Sequence, residues 1–168
     1  EGGTPANIAR LLNAMKPTPP LVQQAHEDPL HFVFESTGAD GKTFRYLVQL
    51  PPDYDAYRKY PTILTLHGAG NSPEQQIDWW AGGYNKQMDL RLGQASRHGY
   101  IVIAPEWTDD QYQSSYEYSA QEHSRVLYAL QESLHRFAID TDRVFLTGHS
   151  VGGDAAWDIG LAHPDLWA

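Results

Sequence analysis

The chain has 168 residues, enough for one domain with a core of its own, and its 41% apolar and 20% charged content is that of an ordinary soluble globular protein. Its net charge of -9, carried by 21 acidic residues scattered rather than clustered, argues against a nucleic-acid or anionic-membrane partner, and no apolar run nears the ~18 residues that a bilayer span needs. The absence of cysteine removes disulfides, thiolate metal sites and a cysteine nucleophile together.

Residues 1–29 are a lead-in. It opens Glu1-Gly2-Gly3-Thr4 with neither methionine nor an apolar leader, as a mature or trimmed product would; export to a periplasm or the medium fits, but the compartment stays open. Ile8, Leu11, Leu12 and Met15 fall at helical spacing behind Thr4 as N-cap and Pro5, and Lys16-Pro17-Thr18-Pro19-Pro20 ends that helix as stiff linker. Residues 30–168 form the domain proper. His31–Glu35 and Thr43–Leu50 read as strands, with Gly38-Ala39-Asp40-Gly41-Lys42 between them as hairpin turn. After a surface connection through Pro51-Pro52-Asp53-Tyr54 and Tyr60-Pro61, Thr62–Leu66 reads as a buried strand that runs straight into His67-Gly68-Ala69-Gly70.

Ser72 is placed to cap a helical region that runs unevenly to Arg97, broken at Gly82-Gly83. Tyr100–Ala104, an unbroken apolar run, reads as a further buried strand, and a tyrosine-rich polar loop follows it with Asp109, Asp110, Tyr112, Tyr116 and Tyr118. From Ser119 to Phe137 a helix is signalled by an apolar stripe of Val126, Leu127, Leu130, Leu134 and Phe137. Ile139–Arg143 turns the chain into Val144-Phe145-Leu146-Thr147, a strand that enters Gly148-His149-Ser150-Val151-Gly152, and a helix then continues to His163-Pro164. Strands alternate with helices from Thr62 onward, the pattern of right-handed crossovers on a parallel sheet.

The pentapeptide Gly148–Gly152 is a G-x-S-x-G in the strand–turn–helix setting that gives the motif its meaning. Side chains at Gly148 and Gly152 would collide with neighbouring backbone, and the turn holds Ser150 strained with its hydroxyl in the open. The Val151 N–H, unpaired at the start of the next helix, is then aimed at a developing oxyanion. An incidental serine in a glycine-rich turn is the competing reading. Small residues at 68–70 would let a second backbone donor come close.

Leu50-Pro51-Pro52-Asp53-Tyr54, Tyr60-Pro61 and a short strand into His67-Gly68-Ala69-Gly70 resemble the α/β-hydrolase fold, closest to its esterase and prolyl-oligopeptidase-like peptidase branches. The resemblance implies a mostly parallel central sheet flanked by helices and covers about residues 30–168. It implies Ser150 as nucleophile, with the N–H of Val151 facing that of Ala69 or Gly70 across the oxyanion. Trp79 and Trp80, in the loop region that would overhang the nucleophile, and Trp107 are candidate substrate contacts, with core packing the alternative. His67 is expected to brace the loop rather than act as base.

A serine needs a base oriented by an acid, and in this fold the order is Ser, then Asp or Glu, then His. His149 points away on its turn, His163 lies about three turns along the helix, and His123 and His135 sit on the preceding helix. Asp140 and Asp142 lie at the wrong end of their strand, and Asp154 and Asp158 read as helix-start and surface acids. The acid, the histidine and the C-terminal strands are therefore expected from a companion segment or chain that completes the sheet, a domain-swapped assembly being the alternative. The expected function is hydrolysis of a small-molecule carboxylic ester without cofactor or metal; a prolyl-oligopeptidase-like peptidase and a non-catalytic binding scaffold are the alternatives. No H-E-x-x-H or H-x-x-x-H pairing occurs among the eight histidines.

Overall fold

The computed structural model describes residues 27–168; the helix expected at Ile8–Met15 and the proline linker lie outside them. In chain order, β1 (His31–Thr37) and β2 (Thr43–Gln49) form the expected hairpin, with Phe34 opposite Tyr46. Its turn closes through Gly38 N–H to the Lys42 carbonyl at 2.9 Å. β3 (Tyr60–Leu66) leads to α1 (Pro73–Ala81), whose Ser72 hydroxyl accepts from Gln75 N–H while the Gln75 side chain returns to Ser72 N–H, a complete capping box.

The helical stretch expected up to Arg97 does not continue past Gly82. A small antiparallel hairpin of β4 (Tyr84–Asn85) and β5 (Leu90–Arg91) replaces its middle, and only α2 (Gln94–Arg97) remains of its end. Local polar chemistry makes the turn: the Asn85 side chain accepts from Gln87 and Met88 N–H. β6 (Ile101–Pro105), α3 (Ala120–Arg136), β7 (Ile139–Gly148) and α4 (Val151–Ala162) complete the described chain. Residues 140–143, expected as a turn, are an excursion within β7: pairing with β3 slips between Tyr60 opposite Ile139 and Thr62 opposite Val144. Asp140 closes the excursion by accepting from Asp142 N–H and Arg143 Nε.

The main sheet runs in the order β1-β2-β6-β3-β7. β6, β3 and β7 are parallel, and β2 joins β6 antiparallel with Leu47 opposite Ala104. Strand alternation splits the core in two. Phe32, Phe34, Tyr46, Val48, Leu64, Leu66, Ile101, Ile103 and Val144 face one side, where Val126, Leu130, Ala155 and Ile159 of α3 and α4 cover them. Val33, Leu47, Ile63, Val102 and Ala104 face the other, under Ile77 and Ala81 of α1 and Ala95 of α2.

The buried face of α3 is rotated from the expected stripe. Glu122, Arg125, Val126, Ala129, Leu130 and Ser133 point inward, while Leu134 is exposed. Glu122 and Arg125 can be buried because loop groups partner them: Ser119 N–H, Ser119 Oγ and Gln113 Nε2 donate to Glu122, and Arg125 pairs with Asp109 through its terminal nitrogen, its Nε lacking a partner among the described residues. β7 is the outermost strand. Among the described residues its outer edge meets only the Ala168 N–H, 2.8 Å from the Val144 carbonyl.

Leu64 is wholly buried at the sheet centre. Leu64→Ala is expected to destabilise the fold by roughly 2–5 kcal/mol, read as a lower denaturant midpoint at unchanged slope.

Candidate active site

Ser150 stands between the end of β7 and the start of α4 with φ 54 and ψ -122, a conformation that L residues rarely adopt. Its side chain is exposed. Three glycine contacts impose this shape. A Cβ on Gly148 would lie 2.0 Å from the Gly152 carbonyl oxygen, and one on Gly152 would lie 2.4 Å from the Leu66 and 2.6 Å from the His67 carbonyl oxygens. One on Gly68 would lie 2.8 Å from the His149 carbonyl oxygen and 3.1 Å from Ser150 Cβ. His149 N–H donates to the Leu66 carbonyl at 3.0 Å, so the elbow and the exit of β3 are one packed unit.

That unit brings the two expected oxyanion segments together. Gly70 is spoken for: its N–H donates to the Gln111 carbonyl at 2.7 Å. Neither Ala69 N–H nor Val151 N–H has a partner among the described residues, which favours Ala69 as the second donor. His67 is buried and braces the loop as expected, its Nδ1 3.2 Å from the Gly68 carbonyl. Burial pushes its ring below the usual histidine range, leaving it neutral.

The three tryptophans separate. Trp107 is wholly buried and cannot touch a substrate; its indole N–H instead donates to the His67 carbonyl at 3.1 Å. Trp80 points down onto the sheet face that α1 covers, where it donates to Thr65 Oγ1 at 3.2 Å and borders a groove with Ile63, Tyr100 and Phe145. Both are therefore packing residues. Only Trp79 stays beside the elbow, 64% exposed with its ring 5.2 Å from that of His149. A second exposed ring, Tyr112, lies over Gly70.

No described histidine or carboxylate hydrogen-bonds to Ser150 Oγ. His123 and Asp158, set aside in the sequence as a helix residue and a surface acid, meet each other instead: His123 Nε2 and Tyr116 Oη each lie 2.8 Å from Asp158 Oδ2. The Tyr116 bond, then the His123 bond, hold the Asp158 carboxyl below its ordinary range. Burial first, and then that same bond, push the Tyr116 phenol up, so it remains a protonated donor. Nothing in the local sequence marks Asp158, because its partners come from a loop and a helix 42 and 35 residues away.

No protein-family model matches the sequence. Dipeptidyl-peptidase 5 of Porphyromonas gingivalis is 32% identical over 139 residues, which is 77% of this chain and 19% of that protein. A thermostable esterase superposes with a TM-score of 0.58 at 21% identity, over 84% of this chain and 40% of that one. The fluorophosphonate-binding serine hydrolase F of Staphylococcus aureus does so with a TM-score of 0.61 at 19% identity, over 82% and 54%. The chain has the α/β-hydrolase fold. It spans about a fifth of the length of the curated relative, and within the α/β-hydrolase sheet it supplies the hairpin, three parallel strands and the elbow helix.

Two outcomes follow from this geometry. Gly152→Ala is expected to destabilise by about 2 kcal/mol or more, whereas Gly153→Ala, whose added Cβ would meet nothing closer than 3.5 Å, is expected to be neutral or mildly stabilising by thermal melting. Asp109, in the loop after β6, is held at about 2, first by the Lys42 hydrogen bond and, against burial, also by Arg125 and Gln121. A depressed carboxylate stabilises above its unfolded value, and that stabilisation is lost as pH falls toward 2. The urea midpoint of the wild type is thus expected to drop more steeply between about pH 4 and 2 than that of Asp109→Asn.

Proposed function

We propose that these residues form the nucleophile-bearing part of a serine hydrolase that cleaves carboxylic esters through an acyl-enzyme on Ser150. The observation that carries this reading is the backbone of Ser150 itself. A non-glycine residue at positive φ costs roughly 1–3 kcal/mol, and here three glycine contacts maintain it while the hydroxyl stays open. In this role Ser150 Oγ attacks the acyl carbon and passes its proton to a base. The carbonyl oxygen, now negative, lies between Val151 N–H and Ala69 N–H. Collapse expels the alcohol, and water then releases the acid by the same route. The steps require no cofactor.

The base and its orienting acid come, in this proposal, from polypeptide outside the described residues that also pairs with the outer edge of β7. Three observations support it: Ser150 Oγ has no described histidine partner, Ala168 N–H already bonds that edge, and Phe145 and Trp80 border an uncovered apolar groove beside it. Trp79 and Tyr112, exposed on either side of the elbow, offer ring faces to a flat acyl or alcohol group. Peptide hydrolysis is the second reading, favoured by the likeness to dipeptidyl-peptidase 5.

Treating the full-length protein with a fluorophosphonate and mapping the adduct is expected to label Ser150 and nothing in Ser150→Ala, with ester turnover in that variant down by about 10⁴-fold or more. A folded, unlabelled wild type would leave only the scaffold alternative. Faster turnover of a dipeptidyl nitroanilide than of a nitrophenyl ester would decide for the peptidase. Trp79→Ala is expected to raise KM for an aromatic ester about threefold to tenfold at unchanged kcat.

A further inference from the structure

Ala69 sits between two peptide groups that are both tied to one loop. On its N-terminal side, the His67 carbonyl accepts from the Trp107 indole at 3.1 Å; on its C-terminal side, Gly70 N–H donates to the Gln111 carbonyl at 2.7 Å. Trp107 and Gln111 belong to the same segment between β6 and α3, so the placement of the Ala69 N–H is the placement of that segment. Glu122 secures the segment's later half internally, through Gln113, Glu117 and Ser119. Fixing it against the nucleophile is a separate task. The contact that performs it is Tyr116, whose ring packs 6.0 Å from that of Trp107 and whose hydroxyl donates to Asp158 at 2.8 Å. Asp158 is two turns beyond Ser150 on α4, the helix that the elbow begins.

We infer that Asp158, acting through Tyr116 and Trp107, is a positioning residue that sets the Ala69 N–H against Ser150. The inference rests on the Ser150 hydrolase. Its physical content is that the two halves of the oxyanion site reside on different elements, Val151 on α4 and Ala69 after β3. The gap between them is set both by backbone contact at Gly152 and by this polar link, which returns from α4 to the loop that holds Ala69. His123, bound to the same Asp158 oxygen and stacked on Tyr116 at 6.4 Å, fixes the carboxylate's direction. Donors of this kind act in the transition state, so a small misplacement lowers turnover without weakening substrate binding.

In the full-length protein, Tyr116→Phe removes only the hydroxyl that Asp158 accepts, and Asp158→Ala removes the acceptor. Each is expected to lower kcat on a nitrophenyl ester, and the rate of fluorophosphonate labelling of Ser150, about tenfold with KM within about twofold. The double variant is expected to be no slower than either single one, since both break one link. Asp158→Asn, whose amide oxygen can still accept, should recover part of the rate. Nitrogen–proton spectra, with the Trp107 indole assigned by Trp107→Phe, are expected to show that resonance shifted in Tyr116→Phe and Asp158→Ala. Wild-type rates with an unmoved indole resonance in either folded variant overturn the inference, and Asp158→Ala decides alone if Tyr116→Phe does not fold. If the wild type is unlabelled, the hydrolase reading fails, and the indole resonance still tells whether Asp158 holds the loop.

Discussion

The structure depends on one close crossing of backbone, where the turn after β7 lies on the carbonyl oxygens that end β3. Gly152 touches Leu66 and His67, Gly148 touches the Gly152 carbonyl, and Gly68 touches His149. No side chain fits at these three positions, and the strained backbone of Ser150 is the geometric result. The crossing is sustained by ordinary packing on either side of it: β7 pairs with β3 from Val144 to Gly148, and Val151, Ala155 and Ile159 of α4 are buried against the sheet. The cost of a positive φ at Ser150 is spread over a hydrophobic core that has no other reason to place a hydroxyl in the open.

The segment between β6 and α3 solves a second problem, that of holding charged groups beneath a loop. Glu122 and Arg125 are nearly inaccessible, and Glu122 is engaged by the loop backbone and Ser119 while the Arg125 guanidinium pairs with Asp109 and leaves its Nε without a partner among the described residues. This polar floor explains why α3 presents a different face from the one its leucines suggest: two charged residues with partners displace Leu134 to the surface. Above that floor Trp107 fills the space under the His67 loop and donates to it.

Elements defined by local pattern were legible in the sequence. The hairpin at Gly38–Lys42, the buried runs at Thr62–Leu66 and Tyr100–Ala104, the capped starts of α1 and α3 and the elbow all appear at or within a residue or two of where their patterns place them, because each rests on periodicity or on a cap or glycine with a fixed conformational role. What the sequence hid depends on partners far along the chain. Residues 84–91 become a hairpin because Asn85 makes a turn, where helix-forming composition suggested otherwise. Trp79 and Trp80 are neighbours in sequence, but one stays beside His149 of the elbow and the other packs beneath α1 on the sheet face that helix covers, a division set by the rotation of α1 alone. Asp158 looks like any solvent-facing helix acid until Tyr116 and His123 arrive from elsewhere.

The same distinction governs the edge of the sheet. On the face covered by α1 and α2, apolar residues run from Val33 and Leu47 through Ala104 and Val102 to Ile63, and the next position outward is Phe145. Phe145 is 36% exposed, with Tyr100 6.2 Å away and Trp80 bordering the same groove, so the row continues past the helices that cover it. On the opposite face α4 exposes Trp157 and Leu161, one helical turn apart. Scattered exposed apolar residues mean little, and these are the large ones that the proposed companion polypeptide would have to meet. The backbone of that edge agrees, since Ala168 already donates to Val144 and the remaining outward groups of a parallel strand are templates for pairing. In the function proposed above the site and the edge belong together: polypeptide seated against β7 would cover the row at Phe145 and is also where a base for Ser150 would enter.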